Sequence, residues 1–318
     1  MKHTLVKLFS FAFLSFPNIC LADTQNDKIK IETSLPYIKE LVQQASCNSN
    51  SFATNSIISL GVDPHIFHMT PQNRLSIAKS KVIIFIGAGL EEWIQKIPKS
   101  ETQIWLELSK DMKLKKLDPN SKHNHTHNHE HNEEDHNHEH RHLELDPHIW
   151  QSPKLTKLAL KKISILLKDL KPSEAEVIEK CTQNYLSKID GEVNLLKKEI
   201  QKIPEKQRIL ATNHDALGYF SDEFGFKILS ITGVSDDSAP TSKDLKNIIL
   251  NIKKENVKAI FLESTGNMRN IQSIAHETSI KIGGELYTDS LGKKGSNADT
   301  IIGMWQVNVK TILNALKN

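Results

Sequence analysis

The stretch KVIIFIG, residues 81–87, decides the fold class. Five consecutive apolar residues stopped by Gly87 are typical of a strand buried on both faces, as in a parallel sheet covered by helices. Outward from this stretch, short apolar strands alternate with amphipathic helices, and the alternation resumes after residue 204. Alternating β and α units of this size form parallel sheets. We therefore predict an α/β protein with two lobes, each a parallel sheet covered by helices.

The predicted elements divide the chain into four parts. Strands are predicted at residues 28–32, 56–60, 81–86 and 102–106, and again at 208–211, 227–231, 258–262 and 281–286. Helices are predicted at residues 35–44, 90–97, 153–170, 217–223, 242–255, 267–278 and 298–316. A further helix at 173–203 would be about 45 Å long at 1.5 Å per residue, enough to join two lobes as a rigid strut. We expect a signal peptide at 1–22, an amino-terminal lobe at 23–170, a linking helix at 171–203 and a carboxy-terminal lobe at 204–318.

The composition points to metal rather than to nucleic acid. The 318-residue chain carries 41 basic and 38 acidic residues, a net charge of +3. A dedicated nucleic-acid-binding protein needs a concentrated cationic surface for its phosphate contacts, so the balance of charge argues against this class. Histidine is the outlier, with 15 residues, nine of which lie between His123 and His142.

The amino terminus predicts export. Lys2 and Lys7 precede a mostly apolar run at residues 8–16, and a small-x-small tripeptide follows at 20–22. This order describes a cleavable secretory signal peptide, and the apolar run is too short to span a membrane. We therefore expect the mature chain in the periplasm. Lipidation of Cys20 is the alternative, although the two residues before it are not the small ones that usually precede a lipidated cysteine.

Two cysteines, Cys47 and Cys181, remain after this cleavage, in a compartment that permits disulfides. The first follows an early predicted helix and the second lies near a mid-chain helix. We therefore expect them in different lobes, as two partly buried thiols. A disulfide between them is the alternative.

Four residues with metal-ligating side chains lie where predicted strands end or helices begin. The tripeptide Asp-Pro-His occurs twice, ending at His65 and at His148, and its proline presents the histidine from a stiff loop. His214 follows one predicted strand of the second half, and Asp289 follows the last. Three imidazoles and one carboxylate form a tetrahedral set suited to Zn²⁺. Each residue alone is typical of a solvated or capping side chain, so the spacing leaves open whether the four converge.

A polar segment at residues 118–144, called here the His-rich segment, alternates histidine with polar or acidic residues and has no apolar face. It cannot bury surface, so we predict a loop that is disordered without metal. Neutral imidazoles bind zinc, copper or nickel, and we expect several weak zinc sites here. A solubilising spacer is the alternative. The candidate ligands are His123, His125, His127, His129, His131, His136, His138, His140 and His142.

Several motifs follow one another along the mature chain. They are GVDPH at 61–65, GAGLEEW at 87–93, DPHIW at 146–150, NHDALGYF at 213–220 and DSLG at 289–292. With the signal peptide and the His-rich segment, they resemble the ZnuA-like branch of the metal-binding solute-binding proteins, the periplasmic zinc-binding components of ABC importers. The resemblance covers essentially the whole mature chain. It implies two α/β lobes joined by one long helix, with the metal ion between them.

The same resemblance implies a ligand set and partners. Carried over residue by residue, it makes His65, His148 and His214 the imidazole ligands of Zn²⁺, and Asp289 matches a carboxylate that some members use as the fourth ligand. Manganese-binding relatives carry a glutamate where this chain has His214, and an imidazole in place of that oxygen moves the preference toward zinc. The implied partners are the zinc ion and an inner-membrane ABC permease with its cytoplasmic ATPase. We expect a monomer that binds no nucleic acid.

The sequence also offers alternative ligands and alternative functions. His68 is an alternative ligand, Glu263 could support a ligand, and His276 is expected to face solvent. A zinc hydrolase needs an open coordination position and a general base. Residues 276–280 lack the second histidine of a His-Glu-x-x-His motif, so we do not expect an enzyme. The alternatives to zinc import are a periplasmic zinc buffer or chaperone, or a metal-binding adhesin of the same fold.

Overall fold

A computed structural model describes residues 28–117, 145–231, 242–266 and 268–317. The predicted signal peptide at 1–22 and the His-rich segment at 118–144, with its nine candidate ligands, lie outside the described residues. Within the described ranges, none of the helices is both long and apolar enough to cross a membrane.

The first lobe is a parallel sheet built around the KVIIFIG stretch. Its elements are β1 (Ile29–Thr33), α1 (Pro36–Ala45), β2 (Phe52–Ser56), α2 (Pro71–Ala78), β3 (Val82–Phe85), β4 (Ile104–Glu107) and α3 (Pro153–Leu170), with 3₁₀ turns at Glu92–Lys96 and Ile149–Gln151. The strands lie in the order β2-β1-β3-β4, and each neighbouring pair is parallel. Val82, Ile83 and Ile84 are fully buried because β3 lies inside the sheet and is covered on both faces.

A long helix, α4 (Ala175–Ile200), links the lobes and is entered through a 3₁₀ turn at Pro172–Glu174. Its 26 residues span about 39 Å at 1.5 Å per residue. Its buried residues recur every three or four positions from Ile178 to Ile200, so one face of the helix is apolar. That face packs against α1 and α3 of the first lobe and against the last helix of the chain. The long helix predicted at 173–203 is therefore present, with ends two or three residues inside the predicted ones.

The second lobe repeats the topology of the first. Its elements are β5 (Ile209–Thr212), α5 (Gly218–Phe224), β6 (Lys227–Ser230), α6 (Ser242–Lys254), β7 (Ala259–Glu263), α7 (Met268–Thr278), β8 (Lys281–Leu286) and α8 (Ile301–Leu316), with a 3₁₀ turn at Glu205–Gln207. The parallel strands lie in the order β6-β5-β7-β8, the same sequence of positions as in the first lobe. Two parallel-sheet lobes joined by a long helix confirm the predicted fold class.

The core continues from one lobe into the other. Trp150 of the first lobe and Trp305 of the second are both buried, and the Trp305 Nε1 donates a hydrogen bond to the Trp150 carbonyl at 3.2 Å. Apolar residues from both sheets and from α4 belong to the same buried cluster. The lobes therefore pack directly against each other as well as being connected by α4.

The structure differs from the prediction around β2. The strand predicted at 56–60 is wrong, since β2 ends at Ser56, and Ile57 and Ile58 are buried in the turn that follows it. β2 is an edge strand of mixed polarity, so it lacks the apolar run that marks β3. α2 was not predicted because Ile77 is the one buried residue on it, so the helix has no apolar stripe. The Thr70 side chain caps α2 by accepting a hydrogen bond from the backbone of Asn73.

The expectation of two separate thiols is also wrong. Cys47 and Cys181 form a disulfide, with their Cα atoms 5.7 Å apart. Cys47 lies just after α1, and Cys181 lies in the second turn of α4. The expectation failed because the beginning of α4 packs against α1 of the first lobe, which brings the two cysteines together.

Candidate metal centre

The four predicted ligands come together where the two lobes meet. His65 lies in the loop after β2, and His148 immediately precedes the 3₁₀ turn that leads into α3. His214 lies two residues after β5, and Asp289 three residues after β8. Parallel strands of one sheet end at one edge, which is why loops distant in sequence meet there. One nitrogen of each histidine and one oxygen of Asp289 all lie within 4.8 Å of one another.

The spacing of the donor atoms fits one small cation. His65 Nε2 lies 3.1 Å from His148 Nε2, His214 Nε2 lies 2.9 Å from Asp289 Oδ2, and His148 Nε2 lies 3.5 Å from Asp289 Oδ1. Ligand atoms about 2.0–2.1 Å from a tetrahedral zinc ion are about 3.3 Å apart. Three of the side chains are buried and His65 is half-buried, so access to the set is on the side of His65.

Carboxylates fix the orientation of two of the rings. Asp146 Oδ1 accepts hydrogen bonds from the His148 backbone at 2.9 Å and from its ring Nδ1 at 2.7 Å. Glu263 Oε1 accepts from the His214 backbone at 3.0 Å, and Oε2 pairs with the ring Nδ1. A proton held on Nδ1 by a carboxylate leaves the lone pair of Nε2 facing the other ligands.

The charges of the site favour a cation. Burial lowers the pKa of His65 to about 3, so this imidazole is neutral and able to ligate. Burial alone would lower the pKa of His214, but the carboxylates of Glu263 and Asp289 raise it well above its usual range. Although burial opposes this, the surrounding imidazoles, His214 first among them, hold the pKa of Asp289 far below its usual range. A metal ion would therefore displace a proton from His214 and meet an ionised Asp289.

An unpartnered oxygen gives a further indication of a cation. Asp289 Oδ1 is buried and has no hydrogen-bond partner among the described residues. A buried carboxylate oxygen without a donor is costly unless a cation faces it. Three imidazole nitrogens and one carboxylate oxygen are a set of four donors of the kind that zinc sites use.

Contacts between the lobes close the cleft around these residues. Trp150 Nε1 and Gln151 Nε2 of the first lobe donate hydrogen bonds to the Thr288 carbonyl at 2.5 Å and 2.8 Å. The Gly61 backbone donates to Ser290 Oγ at 2.8 Å. Thr288 and Ser290 flank Asp289, Trp150 and Gln151 follow His148, and Gly61 lies four residues before His65. The two lobes therefore meet at the ligands themselves.

The other candidate residues differ in how close they lie to the ligand cluster. His68 and His276 are exposed and do not join the cluster. Glu263, in contrast, contacts His214 directly. Tyr219, whose hydroxyl donates to the Asp146 carbonyl at 2.9 Å, was not predicted from the sequence. Its position inside the NHDALGYF motif was the one available signal.

The sequence matches a known family over most of its length. The family described as the periplasmic component A of the zinc-uptake complex, ZnuA, matches residues 31–315. The manganese-binding lipoprotein MntA of Bacillus subtilis is 28% identical over 271 residues, which are 82% of each protein. The high-affinity zinc uptake system protein ZnuA of the same organism is 28% identical over 300 residues, covering 93% of this chain and 89% of that protein.

A solved structure agrees with the sequence comparison. The periplasmic zinc-binding protein TroA from Treponema pallidum superimposes with a TM-score of 0.77 and 25% identity, covering 92% of this chain and 100% of TroA. The family consists of binding components of metal transport systems and not of enzymes. With a match of this length and a fold of this similarity, the chain belongs to the ZnuA family of metal-binding ABC solute-binding proteins.

Proposed function

We propose that this protein captures one Zn²⁺ ion between its lobes in the periplasm and delivers it to an inner-membrane ABC permease. His65 and His148 would bind from the first lobe, and His214 and Asp289 from the second. The observation that carries the proposal is the convergence of these four donor atoms within 4.8 Å, from loops of both lobes.

The choice of zinc rests on the chemistry of the ligands. Relatives of this chain are named for manganese as well as for zinc. Manganese prefers carboxylate, carbonyl and water oxygens, whereas imidazole suits zinc. A donor set of three nitrogens and one oxygen therefore supports zinc. The imidazole of His214 decides the preference between zinc and manganese, because a carboxylate in its place would give the set two oxygens.

The path of the ion follows from the arrangement of the lobes. We infer that the His-rich segment raises the local zinc concentration by many weak contacts. The ion then enters past the half-buried His65, and ligation by both lobes holds the cleft closed. The continuous helix α4 limits hinge opening, so release at the permease would proceed through modest lobe movement and shifts of the ligand loops.

Export and partners complete the proposal. The charged and apolar residues of the first 22 positions support export to the periplasm by a cleavable signal peptide. The function requires the permease and its cytoplasmic ATPase as partners, and the chain is proposed to act as a monomer.

The test is a competition titration with a chelator at neutral pH. The mature chain and a version lacking residues 123–142 are each titrated with Zn²⁺ and with Mn²⁺. We expect one tight zinc site in both, and weak manganese binding. Loss of all tight binding with the deletion would place the site in the His-rich segment and make the protein a zinc buffer. Tighter binding of manganese than of zinc would reassign the cargo.

Replacing the deciding ligand sharpens this test. His214→Glu exchanges a nitrogen for an oxygen in the same loop. We expect the ratio of zinc affinity to manganese affinity to fall in this variant, and an unchanged ratio would contradict the role assigned to His214. His276→Glu, on the exposed surface of α7, is the matched control for the added charge.

A further inference from the structure

The hydroxyl of Tyr219 connects the lobes behind the ligand cluster. Tyr219 lies in the first turn of α5 in the second lobe and is 6% exposed. Its hydroxyl accepts a hydrogen bond from the Lys115 backbone at 3.0 Å and donates one to the Asp146 carbonyl at 2.9 Å, both in the first lobe. These two residues are also joined to each other, since the Asp146 N–H donates to the Lys115 carbonyl at 2.9 Å.

The residue that Tyr219 holds is the one that orients His148. While the Asp146 carbonyl accepts from Tyr219, its side-chain Oδ1 accepts from the backbone and the ring of His148. A shift of the Asp146 backbone therefore moves the carboxylate and, with it, the imidazole. Gly218 leaves room for this approach, because a Cβ at that position would lie 2.9 Å from Asp146 Oδ2.

Helix α5, which carries Tyr219, is also linked to His214. His214 lies in the five-residue turn 213–217 between β5 and α5, so the position of α5 also sets the position of His214. α5 packs on the 3₁₀ turn Ile149–Gln151, and the Lys115 ammonium bonds the Gly218 carbonyl at 3.1 Å and pairs with Asp222 at 2.9 Å. The two imidazoles that carboxylates orient, one from each lobe, are thus joined through Tyr219.

We infer that Tyr219 is a positioning residue that sets how long the bound ion is retained. Its hydroxyl keeps Asp146, and hence His148, against the second lobe, and separation of this contact is the step that frees His148 from the ion. The inference rests on the proposed function, because it requires an ion held between the lobes.

The experiment measures zinc dissociation from the full mature chain. Protein loaded with one equivalent of Zn²⁺ is mixed with excess chelator, and the release rate is recorded for the wild type and Tyr219→Phe. We expect release to be about tenfold faster in the variant, the effect of losing a net hydrogen-bond contribution of roughly 1.4 kcal/mol. Release at the wild-type rate would overturn the inference.

A matched control separates positioning from general stability. Tyr185→Phe also removes one buried hydroxyl, which donates to Glu40 Oε1 at 2.7 Å on α1, away from the ligands. We expect a comparable loss of stability in the metal-free protein but a release rate within about twofold of the wild type, because sites without shared partners act independently. If Tyr185→Phe speeds release as much as Tyr219→Phe, Tyr219 is merely structural and the inference fails.

A second variant tests the next step, from Asp146 to His148, without removing a hydrogen-bonding group. Gly218→Ala would press on the carboxylate of Asp146, because the added Cβ would lie 2.9 Å from Oδ2. We expect several-fold faster zinc release, and an unchanged release rate would count against the inference. If the wild-type chain keeps no zinc against the chelator, the proposed function is refuted. If the wild type and its variants retain zinc equally, the proposed function stands and the inference about Tyr219 fails.

Discussion

Glu263 holds His214 at two points, accepting its backbone N–H at 3.0 Å through Oε1 and pairing with its ring Nδ1 through Oε2. Asp146 holds the backbone and the ring of His148 in the other lobe, both through Oδ1. Glu263 is itself oriented by Thr288, whose hydroxyl donates to Oε2 at 3.0 Å. Each lobe therefore brings a pre-oriented imidazole to the cleft, and little side-chain ordering remains for the ion to impose.

Replacing Glu263 by glutamine should weaken zinc binding about 10–100-fold. The amide lacks the negative charge, and its NH₂ group can donate to Nδ1, which would favour the wrong tautomer of His214. Chelator competition measures the change. Glu179→Gln, which removes a surface ion pair with Lys168, is the control and should leave affinity unaltered. A wild-type affinity in Glu263→Gln would show that the pair does not orient the ring.

Removing His148 should weaken zinc binding by more than about a hundredfold, since loss of a ligand exceeds the 10–100-fold effect of losing a group behind one. His68→Ala is the matched control, because His68 is exposed and stands outside the cluster. Both variants are measured by the same competition titration. Unchanged affinity in His148→Ala would mean that the site is wrongly assigned.

The buried Glu40 predicts a pH dependence of stability. Burial raises its pKa to about 7 from an ordinary value of 4.5, against the opposing hydrogen bond from Tyr185. Between these two values the folded protein binds more protons than the unfolded chain, so stability should fall as pH rises from 4.5 to 7. A shift of this size corresponds to about 3 kcal/mol.

Urea unfolding of the metal-free protein across this pH range checks the prediction. Glu40→Gln stays neutral, so its unfolding free energy should lose about 3 kcal/mol less than that of the wild type over the same rise in pH. Parallel pH profiles for the two proteins would show that Glu40 does not titrate in this window.

Reducing the disulfide should lower stability without abolishing zinc binding. The bridge closes a loop between residues 134 apart in sequence, and loss of such a cross-link costs about 2–5 kcal/mol. It joins the end of α1 to α4, away from the ligands. Thermal unfolding with and without reductant measures the effect. The Cys47→Ser/Cys181→Ser variant should unfold at the lower temperature under both conditions, and a stability equal to the oxidised wild type would contradict the prediction.

Elements with a strong local signal were predicted closely. β8 and α3 have the predicted bounds, and β3 lies within the predicted stretch. α3 begins where Ser152 precedes Pro153, and the Ser152 hydroxyl accepts from the Leu155 backbone at 3.2 Å. β2 and α2 carry no such signal, since one is a mixed-polarity edge strand and the other has one buried residue.

For the candidate site, the ligand residues could be predicted from the sequence, but their convergence could not. Residue type and position, after predicted strands or just before a helix, were enough to select His65, His148, His214 and Asp289 as candidates, because imidazoles and carboxylates in such loops are the side chains that bind metal ions. Their convergence was not readable, since His65 and His148 are 83 residues apart and no local pattern reports a contact at that distance. The same holds for the bridge between Cys47 and Cys181, which depends on where α4 packs. Local patterns specify strands, helices and donor atoms, whereas contacts between distant residues exist only once the sheets and α4 have packed together.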